Sequence, residues 1–143
     1  MRVKKEITVF LIDDDAMYLN ALCHLISNID PARIKLKTFN TGEDCLKELN
    51  LNPDIVILDY YLNSITPNAL NGMEILKKIK ERKSFVHVVL LSGKKRMTVE
   101  MFQEGAYDYV NKFENISLVL KNIIDDIVVN IEISQTLNES LGI

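Results

Sequence analysis

Acidic side chains directly follow two apolar segments of this sequence. The segment Ile7–Ile12 runs into Asp13 and Asp14, and the segment Ile55–Leu58 runs into Asp59. Unbroken apolar runs rich in β-branched residues are typical of strands that are covered on both faces, as in a parallel sheet. In such sheets ligands bind beyond the carboxyl ends of the strands. Asp59 is therefore a candidate for chemistry, and a carboxylate that only caps a loop is the alternative.

Two further predicted strands end at a hydroxyl and at an ammonium group. Ser92 follows the run Val86–Leu91, and Lys112 follows the run Tyr107–Asn111. The carboxyl ends of parallel strands lie along one edge of a sheet, so residues that are distant in sequence meet there. We therefore expect one crevice to contain three carboxylates, a hydroxyl and an ammonium group, from Asp13, Asp14, Asp59, Ser92 and Lys112.

Three carboxylates at one edge repel each other and raise each other's pKa unless a cation compensates their charge. Mg²⁺ suits such a site, because it is a hard ion that takes one or two carboxylates together with waters and a phosphate oxygen. Positioning and charge stabilisation are most of what phosphoryl transfer requires from a protein. Carboxylates form aspartyl phosphates, so Asp59 is the expected nucleophile.

Segments of helical periodicity separate the predicted strands. The first helix is predicted to pack through Tyr18, Ala21, Leu22 and Leu25, and Leu19, Ile26 and Ile29 widen this apolar face. The segment Ile34–Phe39 alternates lysines with apolar residues, which favours a strand near the edge of the sheet. Five strands that alternate with five helices predict a single α/β domain with a parallel sheet and right-handed crossovers.

The composition excludes several other classes of protein. The chain has 143 residues, 48% apolar and 26% charged, and a net charge of -3, which is typical of a globular protein without a nucleic-acid interface. No apolar run approaches the length of a signal peptide or a membrane span, so we expect a cytoplasmic protein without a membrane partner. Cys23 and Cys45 lack metal-ligand spacing and are interpreted as small buried residues.

The ordered set of strand-end motifs resembles the receiver domain of two-component response regulators. The motifs are FLIDDD, PDIVILDYYL, VVLLSG and GAYDYVNKF, and each of them ends a predicted strand. The resemblance extends to about Asp126. It implies a doubly wound, flavodoxin-like sheet of five parallel strands in the order 2-1-3-4-5 with five flanking helices. It also implies a function in phosphorelay signal transduction.

The resemblance assigns a role to each strand-end residue. It implies that Asp59 accepts a phosphoryl group from a phosphohistidine of a sensor histidine kinase or a histidine phosphotransfer protein. Asp14 would bind Mg²⁺ directly, Asp13 would bind it through water, and the backbone carbonyl of Tyr61 would complete the protein ligands. Asp59 would itself contact the ion.

The resemblance also implies a switch. Ser92 and Lys112 would contact the phosphoryl oxygens, and Tyr109 occupies the position of the switch aromatic residue, three residues before the lysine. Movement of Ser92 and Tyr109 would alter the surface formed by the fourth helix, the fifth strand and the fifth helix. Asp15 is predicted only to cap the first helix.

The sequence departs from the family pattern at two positions near the site. Asn63 replaces a proline and Gly72 comes late, so the loop at 63–71 contains an insertion of about five residues, either a partner-selecting element or a tolerated surface loop. Phe113 stands where the family commonly has a proline in a cis peptide bond, and we expect a trans bond here.

Tyr61 and Lys94 are expected to flank the path of a hydrolytic water and to prolong the phosphorylated state.

Two other functions remain open from the sequence. A Mg²⁺-dependent phosphatase of the haloacid dehalogenase class would use Asp13 as its nucleophile, with Asp15 two residues on. That class requires a threonine where this chain has Met17. The other possibility is an interaction domain that is never phosphorylated, which the complete acidic set disfavours.

The last helix continues beyond the end expected for a receiver. We divide the chain into a receiver domain at 1–127 and an extension of the last helix with a tail at 128–143. The extension contains too many apolar side chains for a tail that is surrounded by solvent. They are Val128, Val129, Ile131, Ile133 and Leu137. A homodimer through the last helix, or packing against another partner, is therefore preferred over packing on the domain itself.

Overall fold

The computed structural model describes residues 6–62, 68–93 and 98–142. Strands and helices alternate along the chain. Their bounds are β1 Ile7–Ile12, α1 Ala16–Ser27, β2 Ile34–Phe39, α2 Gly42–Lys47, a short 3₁₀ turn Leu49–Leu51, β3 Ile55–Asp59, α3 Gly72–Arg82, β4 His87–Ser92, α4 Val99–Gln103, β5 Ala106–Asn111 and α5 Ile116–Leu141.

The five strands form one parallel sheet in the order β2-β1-β3-β4-β5. This arrangement confirms the predicted fold class and the predicted strand order. β2 lies at the edge of the sheet, as its alternating lysines predicted. Because all five strands point the same way, their carboxyl ends lie at one edge, and that edge is where the candidate residues were expected.

The sheet separates two hydrophobic clusters. On β3, Val56 and Leu58 belong to the cluster that includes α2, α3 and α4, while Ile55 and Ile57 belong to the cluster that includes α1 and α5. All four side chains are fully buried. Alternate residues of a strand point to opposite faces, so a continuous apolar run is what a strand covered by helices on both sides requires.

The first helix begins at a capping residue and buries part of the predicted face. The Asp15 side chain accepts hydrogen bonds from the backbone N–H groups of Met17 and Tyr18, as predicted for a helix cap. The buried residues of α1 are Leu19, Leu22 and Ile26. Ala21 is exposed, so its predicted place in the core is wrong. The larger side chains of Leu19 and Ile26 bury more apolar area and set the face that packs on the sheet.

α5 continues well beyond the body of the domain. It has 26 residues, and its last fully buried side chain is Ile127. Beyond this residue an exposed apolar row runs along the helix at intervals of four residues, formed by Val129, Ile133, Leu137 and Leu141. In the part of the chain that the structure describes, none of the helices has both the length and the apolar composition needed to cross a membrane.

Gly72 allows α3 to begin directly against the end of β3. Its N–H group donates a hydrogen bond of 2.7 Å to the carbonyl of Tyr60. A Cβ atom at this position would lie 2.6 Å from the carbonyl oxygen of Asp59 and 2.6 Å from the Cα of Tyr60. Both contacts involve backbone, which cannot move aside as a flexible side chain can. The glycine therefore fixes how closely the helix approaches the strand that ends at Asp59.

We expect Gly72→Ala to lower the free energy of unfolding by about 2 kcal/mol, because the added methyl group must displace the backbone of β3 or of the helix. Urea unfolding followed by circular dichroism measures the change. Gly142→Ala is the control, since a Cβ there meets nothing within 4 Å and the only cost comes from a φ of +71°. Equal losses in the two variants would contradict the close-approach explanation.

Candidate functional site

Three carboxylates meet at the carboxyl edge of the sheet. Asp13 follows β1 and is fully buried, Asp59 ends β3 and is 4% exposed, and Asp14 is partly exposed. One oxygen atom from each of the three lies within 4.8 Å of the others. Asp13 and Asp59 lie on neighbouring strands, because β1 pairs with β3. The strand-end argument therefore placed these three residues together correctly.

Lys112 joins the two buried carboxylates. Its Nζ atom lies 2.7 Å from Oδ2 of Asp13 and 3.3 Å from Oδ2 of Asp59. Its side chain is only 12% exposed, so water screens these ion pairs weakly. The backbone N–H of Lys112 donates a hydrogen bond of 3.1 Å to the carbonyl of Ser92, which continues the pairing of β4 and β5 beyond the strand ends.

Burial and neighbouring charges shift the pKa values of Asp59 and Lys112. Burial and the nearby negative charge of Asp13 raise the pKa of Asp59 from 3.8 to about 7, although Lys112 and a backbone hydrogen bond from Tyr61 act to lower it. Burial acts to lower the pKa of Lys112, but its hydrogen bond to Asp13 and the charge of Asp59 outweigh burial, so the pKa is raised. The site therefore retains the positive charge of Lys112, which compensates the charge of the two buried carboxylates only in part.

An open cavity of about 570 Å³ gives access to the carboxylates. Acidic residues form its floor, and apolar and aromatic side chains form much of its rim. The lining residues are Asp13, Asp14, Asp15, Ala16, Met17, Asp59, Tyr61, Gly93, Lys112 and Phe113. A group the size of a phosphoryl fits this volume together with a hydrated ion.

The remaining predicted residues lie around the cavity. Tyr61 lines it directly. Ser92 ends β4 and is fully buried, while the adjacent cavity wall is formed by Gly93. Tyr109 lies in β5 opposite Leu90, is half-buried, and packs against the cluster of α2, α3 and α4. Ser92 and Tyr109 therefore lie behind the cavity rather than in it.

Phe113 forms part of the cavity rim. The Lys112–Phe113 peptide bond is trans, as we expected. The Phe113 side chain is 78% exposed, and its ring lies against Gly93. Residues 63–67 of the expected insertion and Lys94 lie outside the described residues.

Sequence reasoning missed the contribution of Tyr18 to this site. Its hydroxyl group donates a hydrogen bond of 3.3 Å to the carbonyl of Lys112, and its ring centroid lies 4.3 Å from Nζ of the same residue. Burial, followed by the charges of Asp13 and Asp59, raises the pKa of Tyr18 to about 12. An aromatic residue in the first turn of a helix that follows an acidic strand end was the available signal.

Curated relatives match the chain along much of its length. The chain is 27% identical over 139 residues to a protein-glutamate methylesterase/protein-glutamine glutaminase of Clostridium acetobutylicum, covering 94% of this chain and 38% of the relative. It is 33% identical over 112 residues to the probable C4-dicarboxylate response regulator DctR of Bacillus subtilis, covering 76% of this chain and 47% of the relative. The chain thus spans less than half the length of these relatives.

Solved structures share the fold. The signal receiver domain of a putative LuxO repressor protein from Vibrio parahaemolyticus superposes with a TM-score of 0.75 at 19% identity, over 92% of this chain and 97% of that one. A response regulator receiver domain protein from Clostridium thermocellum gives a TM-score of 0.75 at 22% identity, over 87% and 95% of the two chains.

The sequence pattern of one family accounts for most of the chain. The response regulator receiver domain matches residues 9–124, a stretch that contains every strand end described above. The strand order and the acidic edge of the structure agree with that match. This chain therefore belongs to the response regulator receiver domain family.

Proposed function

We propose that this receiver domain accepts a phosphoryl group on Asp59 from the phosphohistidine of a sensor histidine kinase or a histidine phosphotransfer protein. One observation carries the proposal. Asp13, Asp14, Asp59 and Lys112 come from the ends of three strands and meet at the floor of one open cavity. Exchange of phosphate with such a kinase would place the domain in the cytoplasm.

The donor set fits Mg²⁺. It consists of oxygen atoms from three carboxylates, one of which is partly exposed, next to a cavity large enough for several waters. Asp14 and Asp59 would hold the ion directly, Asp13 would hold it through water, and the carbonyl of Tyr61 would complete the set. When bound, the ion neutralises negative charge on the carboxylates and on the incoming phosphoryl group.

Asp59, Lys112 and Ser92 have different roles in the proposed phosphoryl transfer. An oxygen of Asp59 forms the new P–O bond as the P–N bond of the phosphohistidine breaks, and the electron pair of that bond remains on the departing imidazole, which takes up a proton. Lys112 stays beside the reacting carboxylate and contacts a phosphoryl oxygen. Once it has moved toward the phosphoryl group, Ser92 would donate a hydrogen bond from its hydroxyl group to another phosphoryl oxygen.

The same residues support a conformational switch. Movement of Ser92 toward the phosphoryl group would leave room behind it, and Tyr109 would turn into that room. Tyr109 lies at the strand position opposite Leu90, two pairs before the pair of Ser92 and Asn111. The surface of α4, β5 and α5 would change as a result, which is how the phosphorylated state would be read.

Incubation with acetyl phosphate and Mg²⁺, followed by intact mass spectrometry, tests the proposal. We expect a single adduct with the mass of one phosphoryl group, dependent on Mg²⁺ and removed by hydroxylamine, which cleaves acyl phosphates. Absence of the adduct from a folded protein that binds Mg²⁺ would contradict the proposal.

The phosphatase alternative receives no support from the family match. Both oxygens of Asp13 are also engaged, since Oδ1 accepts a hydrogen bond of 2.9 Å from the N–H of Asp15 and Oδ2 contacts Lys112. Asp15 turns back to cap α1. Neither residue is arranged as a nucleophile with a partner acid.

We expect Asp15→Ala to lower the free energy of unfolding by about 1 kcal/mol, because the two N–H groups that it caps lose their acceptor. The adduct should still form at the wild-type level. Asp15→Asn retains the acceptor oxygen and should match the wild type in a urea titration. Loss of the adduct from folded Asp15→Ala would instead assign a chemical role to this carboxylate.

We further propose that residues 128–143 form an extension by which two copies of this chain associate, while 1–127 forms the receiver. Val129, Ile133, Leu137 and Leu141 are 51–71% exposed and form one ridge at four-residue intervals. Such ridges pack into each other when two helices cross at about −50°. Asn130, Ser134, Thr136 and Ser140 lie beside the ridge and are uncharged, and the charge of Glu132 beside Val129 is paired with Arg33 at 3.1 Å. A second copy therefore meets little uncompensated like charge along this contact.

We expect Ile133→Lys to convert a dimer into a monomer, because it places two ammonium groups at the centre of the contact. Multi-angle light scattering measures the mass in solution. Glu139→Lys alters the charge of the extension outside the ridge and should leave the dimer intact. A monomeric wild type, or equal effects of the two substitutions, would contradict this contact.

A further inference from the structure

Tyr18 contacts both ends of Lys112, although the two residues are 94 positions apart. The ring lies under the ammonium group, with its centroid 4.3 Å from Nζ. The hydroxyl group donates a hydrogen bond of 3.3 Å to the carbonyl of the same residue. One side chain therefore touches the reactive end of the lysine and also the backbone from which the lysine extends.

The carboxylates alone do not fix the lysine at one place. The ammonium group lies 2.7 Å from Asp13 and 3.3 Å from Asp59, and its four-carbon stem is flexible. A lysine that contacts a phosphoryl oxygen must weaken at least one of these ion pairs and still remain over the cavity. The face of an aromatic ring attracts a cation independently of the carboxylates.

Tyr18 is itself held firmly. Its backbone N–H donates a hydrogen bond of 3.2 Å to the Asp15 cap of α1, and the N–H of Asp15 donates a hydrogen bond of 2.9 Å to Asp13. Its side chain packs against the cluster of α1 and α5. The ring is thus tied to the same strand end that supplies the acidic residues.

We propose that Tyr18 is a positioning residue for Lys112, whose ring holds the ammonium group at the cavity and whose hydroxyl group holds the backbone of the β5–α5 connection. This inference rests on the proposed phosphoryl transfer to Asp59. We expect the ring to contribute more to this positioning than the hydroxyl group does. The ring contacts the ammonium group that meets the phosphoryl oxygen, whereas the hydroxyl group contacts only the backbone.

Two substitutions at position 18 separate the ring from the hydroxyl group. The initial rate of adduct formation is measured against acetyl phosphate concentration at saturating Mg²⁺. We expect Tyr18→Leu to lower the maximal rate about 10-fold with little change in the half-saturating concentration of acetyl phosphate. The free energy of a cation–π contact in a shielded site corresponds to a rate factor of about 10. Tyr18→Phe keeps the ring and should restore most of the rate.

Mg²⁺ affinity, measured by direct titration, distinguishes positioning from general damage. If the ammonium group is released, Tyr18→Leu should bind Mg²⁺ as tightly as the wild type or more tightly, because less positive charge faces the carboxylates. Tyr107→Leu is the matched control. It removes a half-buried tyrosine that packs on the same cluster, and it should leave the maximal rate unchanged.

A readout without phosphate keeps this inference separate from the proposed function. The rate at which acetic anhydride modifies Lys112, followed by peptide mass spectrometry without Mg²⁺ or phosphodonor, should rise in Tyr18→Leu and not in Tyr18→Phe or Tyr107→Leu. If the wild-type protein forms no adduct, this result contradicts the proposed phosphoryl transfer and leaves the role of Tyr18 to the lysine reactivity. Unchanged lysine reactivity and an unchanged rate in Tyr18→Leu, or equal losses in Tyr18→Leu and Tyr107→Leu, would overturn the role of Tyr18.

Discussion

Asp59→Asn is expected to abolish the phosphoryl adduct completely, to the level of a sample without phosphodonor. The amide lacks the carboxylate oxygen that forms the P–O bond, and the proposal assigns Asp13 and Asp14 to the metal ion rather than to the phosphoryl group. Asp13→Asn should form the adduct about 10- to 100-fold more slowly, which is typical when a group that orients a metal ligand is removed. Intact mass spectrometry over time measures both variants.

A stability measurement checks whether Asp59→Asn remains folded. The pKa of Asp59 is raised to about 7 in the folded protein, so ionising this carboxylate costs stability as the pH rises from about 4 through 7. An asparagine carries no such cost. The variant should therefore exceed the wild type by about 2 kcal/mol at pH 8 without Mg²⁺, and the difference should disappear near pH 4. An adduct that persists in Asp59→Asn and vanishes in Asp13→Asn would favour the phosphatase reading.

Lys112→Met should lower the free energy of unfolding by about 3 kcal/mol at pH 8, because it leaves two buried carboxylates without their cation. The loss should shrink to about 1 kcal/mol at pH 5, where the folded protein holds a proton on Asp59 and less charge is left uncompensated. Mg²⁺ should recover much of the loss at pH 8, because it binds the folded state. Urea titrations at the two pH values with and without Mg²⁺ measure these effects.

Lys121→Met is the matched control for Lys112→Met. Lys121 forms an ion pair with Asp125 at 2.7 Å on the outside of α5, where both side chains are at least half exposed. Exposed pairs of this kind are worth little, so the loss should stay below about 0.5 kcal/mol and should not respond to Mg²⁺. A loss in Lys112→Met that is the same at both pH values would contradict the assignment of its cost to the carboxylates.

The sheet and its acidic edge were predictable from the sequence because both depend on short, strong patterns. Apolar runs such as Ile55–Leu58 define strands that are covered on both faces, and their alternation with helices defines a parallel sheet. Parallel strands then place their carboxyl ends together regardless of the distance along the chain. Asp13, Asp59 and Lys112 could thus be brought together without knowledge of any contact distance.

Other features depend on tertiary geometry that periodicity does not contain. A register shift between Val88 and Val89 places an extra residue of β5 opposite β4, and nothing in the local sequence marks it. Ala21 has the spacing of a core residue, yet larger side chains determine the buried face of α1. Tyr18 reaches Lys112 only because the first turn of α1 lies beside the end of β5, which is separated from it by more than half the chain.

The division of the core by the sheet has a consequence for how the sequence can vary. A substitution among the residues packed under α1 and α5 changes the packing of a different set of side chains from one packed under α2, α3 and α4, because the sheet lies between the two clusters. Energetic effects at independent positions add. Each side of the molecule can therefore accumulate changes on its own, and coupled evolution is expected only along the strand tips where both sides meet the acidic residues.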